Sequence, residues 1–145
     1  MGEREIAVLL AGGIIERVEP DVVAAEGELR VARRHLETAE QISPTDPEAA
    51  FAVGYDAIRK AISAHMRATG FRVRKGSGHH RRVGDYALAA LDEWDVVLDL
   101  EAFDQLRQLR NQSQYDGLVV EPQEVADLLL HARAIVGAIG RDLGP

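Results

Sequence analysis

The sequence predicts an all-α protein, an up-and-down bundle of five to six helices in a single domain over residues 1–145. Most of the chain has apolar residues at helical spacing, and no segment alternates long enough to build a sheet. Its 46% hydrophobic and 28% charged residues are typical of a globular chain, and the absence of cysteine excludes disulfides and thiol chemistry. The clearest apolar stripe contains Val22, Ala25, Leu29, Ala32, Leu36 and Ala39.

Two helices are predicted before Ser43. The first covers about residues 3–18, where the Gly12-Gly13 pair predicts a break or bend, because each glycine costs about 1 kcal/mol relative to alanine in a helix. The second begins after Pro20-Asp21 and ends at Ser43-Pro44, since the residue before a proline is disfavoured in the helical region.

The third helix has a strong start signal. Thr45 or Asp46 is the predicted N-cap, Pro47 occupies the first helical position, and the helix runs to Ala68 before Gly70 ends it. Small residues along this helix predict close approach of a neighbouring helix, and they support an expected homodimer. These residues are Val53, Ala57, Ala61 and Ala64.

Three further helices are predicted after residue 82. They cover about residues 83–99, with an interruption near Asp92, about residues 101–115, and a last segment that begins at Pro122. The last helix has a clear core face, formed by Val125, Leu128, Leu129, Ala132, Ile135, Val136 and Ile139.

Positive charge is concentrated in one stretch, although the formal net charge of the chain is -7. Between Ala57 and Gly84 there are eight Lys or Arg residues, three His and no Asp or Glu, which leaves nine basic residues against all 24 acidic ones elsewhere. This basic stretch predicts a positive surface that attracts phosphate groups. The alternative is a basic face that pairs with an acidic helix or a partner subunit.

The densest part of the basic stretch is a predicted basic loop at about residues 70–82, with β-like alternation at its start and several glycines. A zinc site formed by His79, His80 and a carboxylate is disfavoured, because adjacent histidines rarely reach one tetrahedral ion. We therefore predict no metal and no cofactor. The histidine pair is either a solvent-exposed doublet of the loop or, if the loop packs back on the bundle near Arg110, a substitute general base. The candidate residues for RNA or phosphate binding are Arg72, Arg74, Lys75, His79, His80, Arg81, Arg82 and, in a later helix, Arg107.

Arg110 lies in the apolar stripe of the predicted helix at 101–115, projecting about 20° from Phe103, which is an unusual location for arginine. Asn111 and Tyr115 flank it, so polar groups converge where this helix meets a loop. The structural alternative is that Arg110 caps the last carbonyl groups while Tyr115 packs in the core.

Arg110-Asn111, followed by three residues and an aromatic, resembles the motif of HEPN domains, which are small helical proteins of toxin–antitoxin and defence systems. Their signature is Arg, four to six arbitrary residues and His, often with Asn directly after the Arg. Here Tyr115 occupies the histidine position, and the longer spacings also lack a histidine. Residues 55–73 further resemble the second helix and following loop of actinobacterial-type HEPN proteins. The similarity covers about residues 21–143.

The resemblance implies a homodimer in which both motifs face one cleft and RNA is cut without metal. Arg110 would stabilise the phosphorane charge, Asn111 would orient the sugar or the arginine, and Tyr115 would orient, stack or donate a proton. It also implies RNA or a nucleotide as ligand, and an antitoxin or a nucleotidyltransferase as a possible partner. We expect a cytoplasmic protein with no membrane span, since the apolar run at 6–15 is about half of the roughly 20 residues required.

The replaced histidine leaves three functions open. The first is a metal-independent endoribonuclease or toxin-like protein with a degenerate motif. The second is a catalytically inactive module that binds RNA, nucleotide or protein. It follows from the ordinary pKa of tyrosine, about 10 against about 6.5 for histidine, which makes tyrosine a poor general base at neutral pH. The third is a helical interaction subunit whose basic region docks on an acidic protein.

Overall fold

The computed structural model of the chain describes residues 2–74, 79–91, 99–102, 105, 108 and 119–144, with only the backbone described at 79–81. Its elements are α1 (Glu3–Ala11), β1 (Ile15–Arg17), α2 (Val22–Ile42), α3 (Pro47–Thr69), β2 (Phe71–Val73), α4 (His79–Ala90) and α5 (Pro122–Leu143). Residues 99–102 are also helical. The predicted all-α helical bundle is therefore confirmed. None of the helices in these described ranges is long and apolar enough to cross a membrane.

The centre of the bundle is α3, which packs against both α2 and α5, and these two helices also contact each other. Helix α2 runs antiparallel to α3, because the backbone N–H of Asp21, just before α2, donates to the carbonyl of Arg67 near the end of α3. Helices α3 and α5 run parallel, since Gly54 faces Leu128 while His65, three turns later, faces Asp142.

The ends of α2 and α3 follow from local capping. Asp21 accepts a hydrogen bond from the Ala24 N–H at 2.9 Å, and Asp46 accepts one from the Ala49 N–H at 3.1 Å. Each aspartate thereby satisfies one of the N–H groups that lack a partner in the first turn. Gly70 ends α3 with φ of 88°, a left-handed conformation that favours glycine. The predicted starts and ends of both helices are confirmed to within a few residues.

The predicted small-residue face of α3 lies inside the bundle. Ala57, Ala61 and Ala64 are fully buried, because α2 and α5 cover them within the same chain. This face therefore does not support a homodimer as the sequence suggested. The small side chains allow α3 to pack closely against other helices of the same molecule.

A two-stranded antiparallel sheet was not expected from the sequence. Strand β1 pairs with β2 in the register Ile15 with Val73, Glu16 with Arg72 and Arg17 with Phe71. The predicted break at Gly12-Gly13 is present, but α1 ends at Ala11 and the chain continues as β1 rather than as helix to residue 18. Three-residue strands are too short to show a period of two, and this pairing joins segments that are distant in sequence.

The predicted basic loop at 70–82 is only partly a loop. Its first residues form β2, and α4 begins at His79 instead of residue 83. The described part of α4 ends at Ala90, and the interruption predicted near Asp92 lies outside the described residues. Alternating burial in β2, where Phe71 and Val73 are buried and the arginine between them is exposed, explains the β-like pattern of the sequence.

Candidate functional site

Arg110, Asn111 and Tyr115 lie outside the described residues, as do Arg107 and Lys75. The side chains of His79, His80 and Arg81 are likewise outside them, whereas those of Arg72, Arg74 and Arg82 are described. The proposed roles of all these residues remain predictions.

Both flanks of the Arg110 segment are fixed to the bundle. Leu100 before it and Val120 after it are each only 1% exposed and belong to the core. Asp99 Oδ1 lies 2.7 Å from Nδ1 of His131, in the middle of α5. The segment that carries the predicted motif is therefore attached at both ends to the hydrophobic core, directly or through α5.

On α3, two basic side chains of the basic stretch share the carboxylate of Asp56. Arg59 donates to Asp56 Oδ1 from Nε and Nη2, at 3.2 and 2.7 Å, and Lys60 Nζ lies 3.8 Å from Oδ2. Burial raises the pKa of Asp56, but hydrogen bonding to Arg59 and the charges of Arg59, Lys60 and His35 more than offset this effect. The pKa of Asp56 is held below its ordinary value, so the carboxylate stays ionised and neutralises part of this face.

Arginines nearer the two-stranded sheet also face carboxylates. Arg67 Nε lies 2.7 Å from Glu28 Oε2 on α2. Between the two strands, Arg72 Nε donates to Glu16 Oε1 at 2.5 Å, while Arg74 Nε lies 3.9 Å from the other oxygen of that carboxylate. Of the six Lys and Arg side chains of the basic stretch that the structure describes, five thus lie within 3.9 Å of a carboxylate oxygen. Their positive charge is partly compensated inside the molecule.

A pocket of about 520 Å³ opens where the basic stretch meets α2. Arg59, Arg67 and Arg72 line it together with the hydroxyl-bearing Ser63. Its acidic lining is equally large and consists of Glu19, Asp21 and Glu28. Because the lining carries as many acidic as basic side chains, this pocket does not concentrate positive charge.

A buried polar network that the sequence did not reveal joins α3, α4 and α5. The Tyr86 hydroxyl lies 2.8 Å from His65 Nδ1 and 2.9 Å from Thr69 Oγ1, and His65 Nε2 lies 3.5 Å from Asp142 Oδ2. Tyr86 is fully buried and His65 is 3% exposed. A polar residue on a helix gives no sequence signal of such partners, because they come from helices far along the chain.

Burial determines the protonation of this network. It lowers the pKa of His65, and the nearby Asp142 carboxylate offsets only part of that shift. Burial also raises the pKa of Tyr86 well above its ordinary value. Both groups are therefore neutral near pH 7, and their enclosed position suits a structural role better than proton transfer to a bound ligand.

All three histidines with described side chains face an aspartate. His35 Nδ1 lies 3.2 Å from Asp56 Oδ2, His65 faces Asp142, and His131 faces Asp99. Among the described residues, no three His, Asp or Glu side chains are grouped closely enough to hold a metal ion.

Comparison with known families agrees with the helical fold. The sequence profile of the HEPN domain matches residues 24–142, a range that includes Arg110, Asn111 and Tyr115 and excludes α1 and β1. No significant match was found among curated proteins or among solved structures. The resemblance drawn from the sequence is confirmed at the level of the family.

Proposed function

Because the chain belongs to the HEPN domain family, whose functions are RNA-acting or nucleotide-related, we propose that it binds RNA phosphate groups through Arg110, with Asn111 and Tyr115 beside it. The observation that carries this proposal is the Arg110-Asn111 pair within the matched range 24–142. A guanidinium is charged at any physiological pH, and its planar donors match two phosphate oxygens.

Binding is favoured over rapid cleavage because the motif histidine is absent. Cleavage without a metal requires a base that removes the proton of the ribose 2′-hydroxyl, and a partner that protonates the leaving oxygen. Tyr115 meets the first requirement poorly at neutral pH, because a tyrosine with an ordinary pKa near 10 remains protonated. Tyr115 suits stacking on a base or donating a hydrogen bond to a phosphate oxygen.

A second candidate, a metal-independent endoribonuclease of the toxin type, is supported by the histidine pair at the start of α4. His35, His65 and His131 each face an aspartate in the bundle, so the remaining imidazoles are those of His79 and His80. Both belong to the matched range, and either one would supply the missing base if it lies at the Arg110 cleft.

The homodimer, and an antitoxin or a nucleotidyltransferase as partner, complete the proposal. In HEPN dimers the two motifs share one cleft, so a single bound RNA would meet two copies of Arg110. An assembly with these residues on opposite outer faces would contradict this arrangement, and a crystal structure or crosslinking through a cysteine introduced at Gln114 measures it.

RNA binding and cleavage by the same variants test both candidates. We expect Arg110→Ala to abolish RNA binding without lowering the thermal stability, and Tyr115→His to produce cleavage that persists with EDTA. Tyr115→Phe is the control, because it keeps the ring without adding an imidazole. If the wild type cleaves RNA in EDTA and His79→Ala or His80→Ala stops it, the nuclease is correct. If Arg110→Ala changes only stability, Arg110 is a structural cap and the binding proposal is wrong.

A further inference from the structure

Three arginines on α2 differ from the five basic residues just described, because none of them forms an ion pair within the part of the chain that the structure describes. Arg30, Arg33 and Arg34 are spaced three and four residues apart, so they project from neighbouring positions of the helix, and all three are exposed. None lies within 4.0 Å of a carboxylate oxygen in the part of the chain that the structure describes. Their charge is available to a ligand.

Two of the four carboxylates of α2 are directed to other helices. Glu28 reaches Arg67 on α3, and Glu40 pairs with Arg133 on α5. Glu28 and Glu40 count toward the net charge of α2 in the sequence, but in the fold their carboxylates neutralise arginines of α3 and α5. Glu26 and Glu37 remain on the exposed side of α2, but neither forms an ion pair with these arginines among the described residues, so the guanidinium groups are only partly compensated by their own helix.

Two of these arginines line a pocket between α2 and the end of α5. The pocket has a volume of about 210 Å³, and its lining consists of Glu26, Leu29, Arg30, Arg33, Leu143 and Gly144. Leu29 is buried and Leu143 is half-buried, so the floor is apolar, while two guanidinium groups and one carboxylate provide the charge. Arg34 does not line this pocket although it is the next residue on the same helix.

The guanidinium of Arg33 rests against α5 at Gly140. A methyl group added at Gly140 would lie 3.3 Å from Arg33 Cζ and would overlap Nη2. The glycine thus leaves room for the guanidinium to pack on the helix backbone. No hydrogen bond from Arg33 to another described side chain or backbone group is formed, so packing holds the group in place while its donors remain available.

We propose that Arg30 and Arg33 form a second contact for the RNA backbone, in which the two guanidinium groups bind phosphate oxygens at the α2/α5 pocket. This inference rests on the proposed RNA-binding function and extends it to a site separate in sequence from Arg110. Phosphate is the favoured ligand because planar arginine donors bind its oxygens in pairs and the pocket is positive.

The salt dependence of RNA binding tests the two guanidinium groups. Binding of a labelled single-stranded RNA is measured by fluorescence anisotropy over a series of salt concentrations. We expect Arg30→Gln/Arg33→Gln to weaken binding roughly tenfold and to lower the slope of log affinity against log salt by about 1.4, because each phosphate contact on a single strand contributes about 0.7. Arg34→Gln is compared with Arg33→Gln as a control of equal charge, and it should change the affinity less than twofold.

A variant that preserves net charge distinguishes a specific phosphate site from non-specific electrostatic attraction of RNA. Gly140→Ala places a methyl group where the Arg33 guanidinium lies, so the guanidinium must move. We expect this variant to weaken RNA binding at least threefold while its thermal unfolding stays close to that of the wild type. If Gly140→Ala unfolds, the comparison of Arg33→Gln with Arg34→Gln decides the matter alone.

The outcomes distinguish this inference from the proposed function. If Arg110→Ala abolishes RNA binding and Arg33→Gln leaves it unchanged, the second contact is wrong and the proposed function stands. Equal effects of Arg33→Gln and Arg34→Gln overturn the site in favour of diffuse attraction. If the wild type binds no RNA, both proposals fail. Binding of poly-glutamate but not RNA, lost in Arg33→Gln, would assign the pocket to an acidic protein and also overturn the inference.

Discussion

Replacing Tyr86 by phenylalanine should lower the free energy of unfolding by about 2 kcal/mol. The substitution removes the hydroxyl that lies 2.8 Å from His65 Nδ1 and 2.9 Å from Thr69 Oγ1, and leaves the ring in place. A hydrogen bond contributes about 0.5–1.5 kcal/mol net, and a buried polar atom that loses its partner costs about 1–3 kcal/mol. His65 is buried, so water does not easily replace the hydroxyl.

Urea unfolding followed by circular dichroism measures this loss, and it corresponds to a fall of about 6 °C in Tm for a chain of this size. Thr69→Val and the double variant complete a double-mutant cycle with Tyr86→Phe. We expect a coupling energy of at least about 0.5 kcal/mol between the two hydroxyls, because they are in direct contact. A loss below about 0.5 kcal/mol for Tyr86→Phe, with no coupling, would show that the network does not hold α4 on α3.

Three further predictions concern other contacts. Burial lowers the pKa of His65 in the folded state below the ordinary value of 6.5, so the unfolded state binds more protons between the folded and the unfolded pKa. Stability should therefore fall as the pH drops below about 6.5. His65→Asn should flatten this pH dependence in urea titrations. Gly70→Ala should cost about 2 kcal/mol by thermal unfolding, because φ is 88° and the new methyl would lie 2.8 Å from a backbone oxygen. If the two-stranded sheet contacts phosphate, Glu16→Gln should strengthen RNA binding, because it releases Arg72 and Arg74 from their carboxylate partner. An unchanged affinity would argue against that contact.

The parts of the fold that the sequence predicts best are determined locally. Asp46, Pro47 and Gly70 set the ends of α3 through groups within a few residues, so capping rules locate them without tertiary information. The two-stranded sheet depends instead on pairing between residues 15–17 and 71–73. These segments are too far apart in the chain for any local sequence pattern to show their pairing. The burial of the small residues on α3 was predictable, but whether a helix of the same chain or of a second copy covers them was not.

The candidate site likewise has a part that the sequence shows and a part that only the packed fold shows. A motif such as Arg110-Asn111 is visible in the sequence because its residues are adjacent, and it lies within the range matched by the family profile. The polar network around Tyr86 has no such signature, since it forms only when α3, α4 and α5 have packed. Residue type alone does not indicate the partners of His65 and His131, because the aspartates that face them come from other segments of the chain.

Charge shows most clearly why proximity in sequence differs from proximity in space. The basic stretch is free of acidic residues along the chain, yet Glu16 reaches its arginines from β1 and Glu28 reaches them from α2. Helix α2 looks nearly neutral along the chain, yet Glu28 pairs with Arg67 on α3, and Arg30 and Arg33 form no ion pair among the described residues. Electrostatic attraction acts over about 8 Å at physiological salt, which is the scale of helix packing rather than of sequence windows. A phosphate ligand therefore responds to the packed arrangement, and α2 is as strong a candidate for contacting it as the stretch that dominates the sequence.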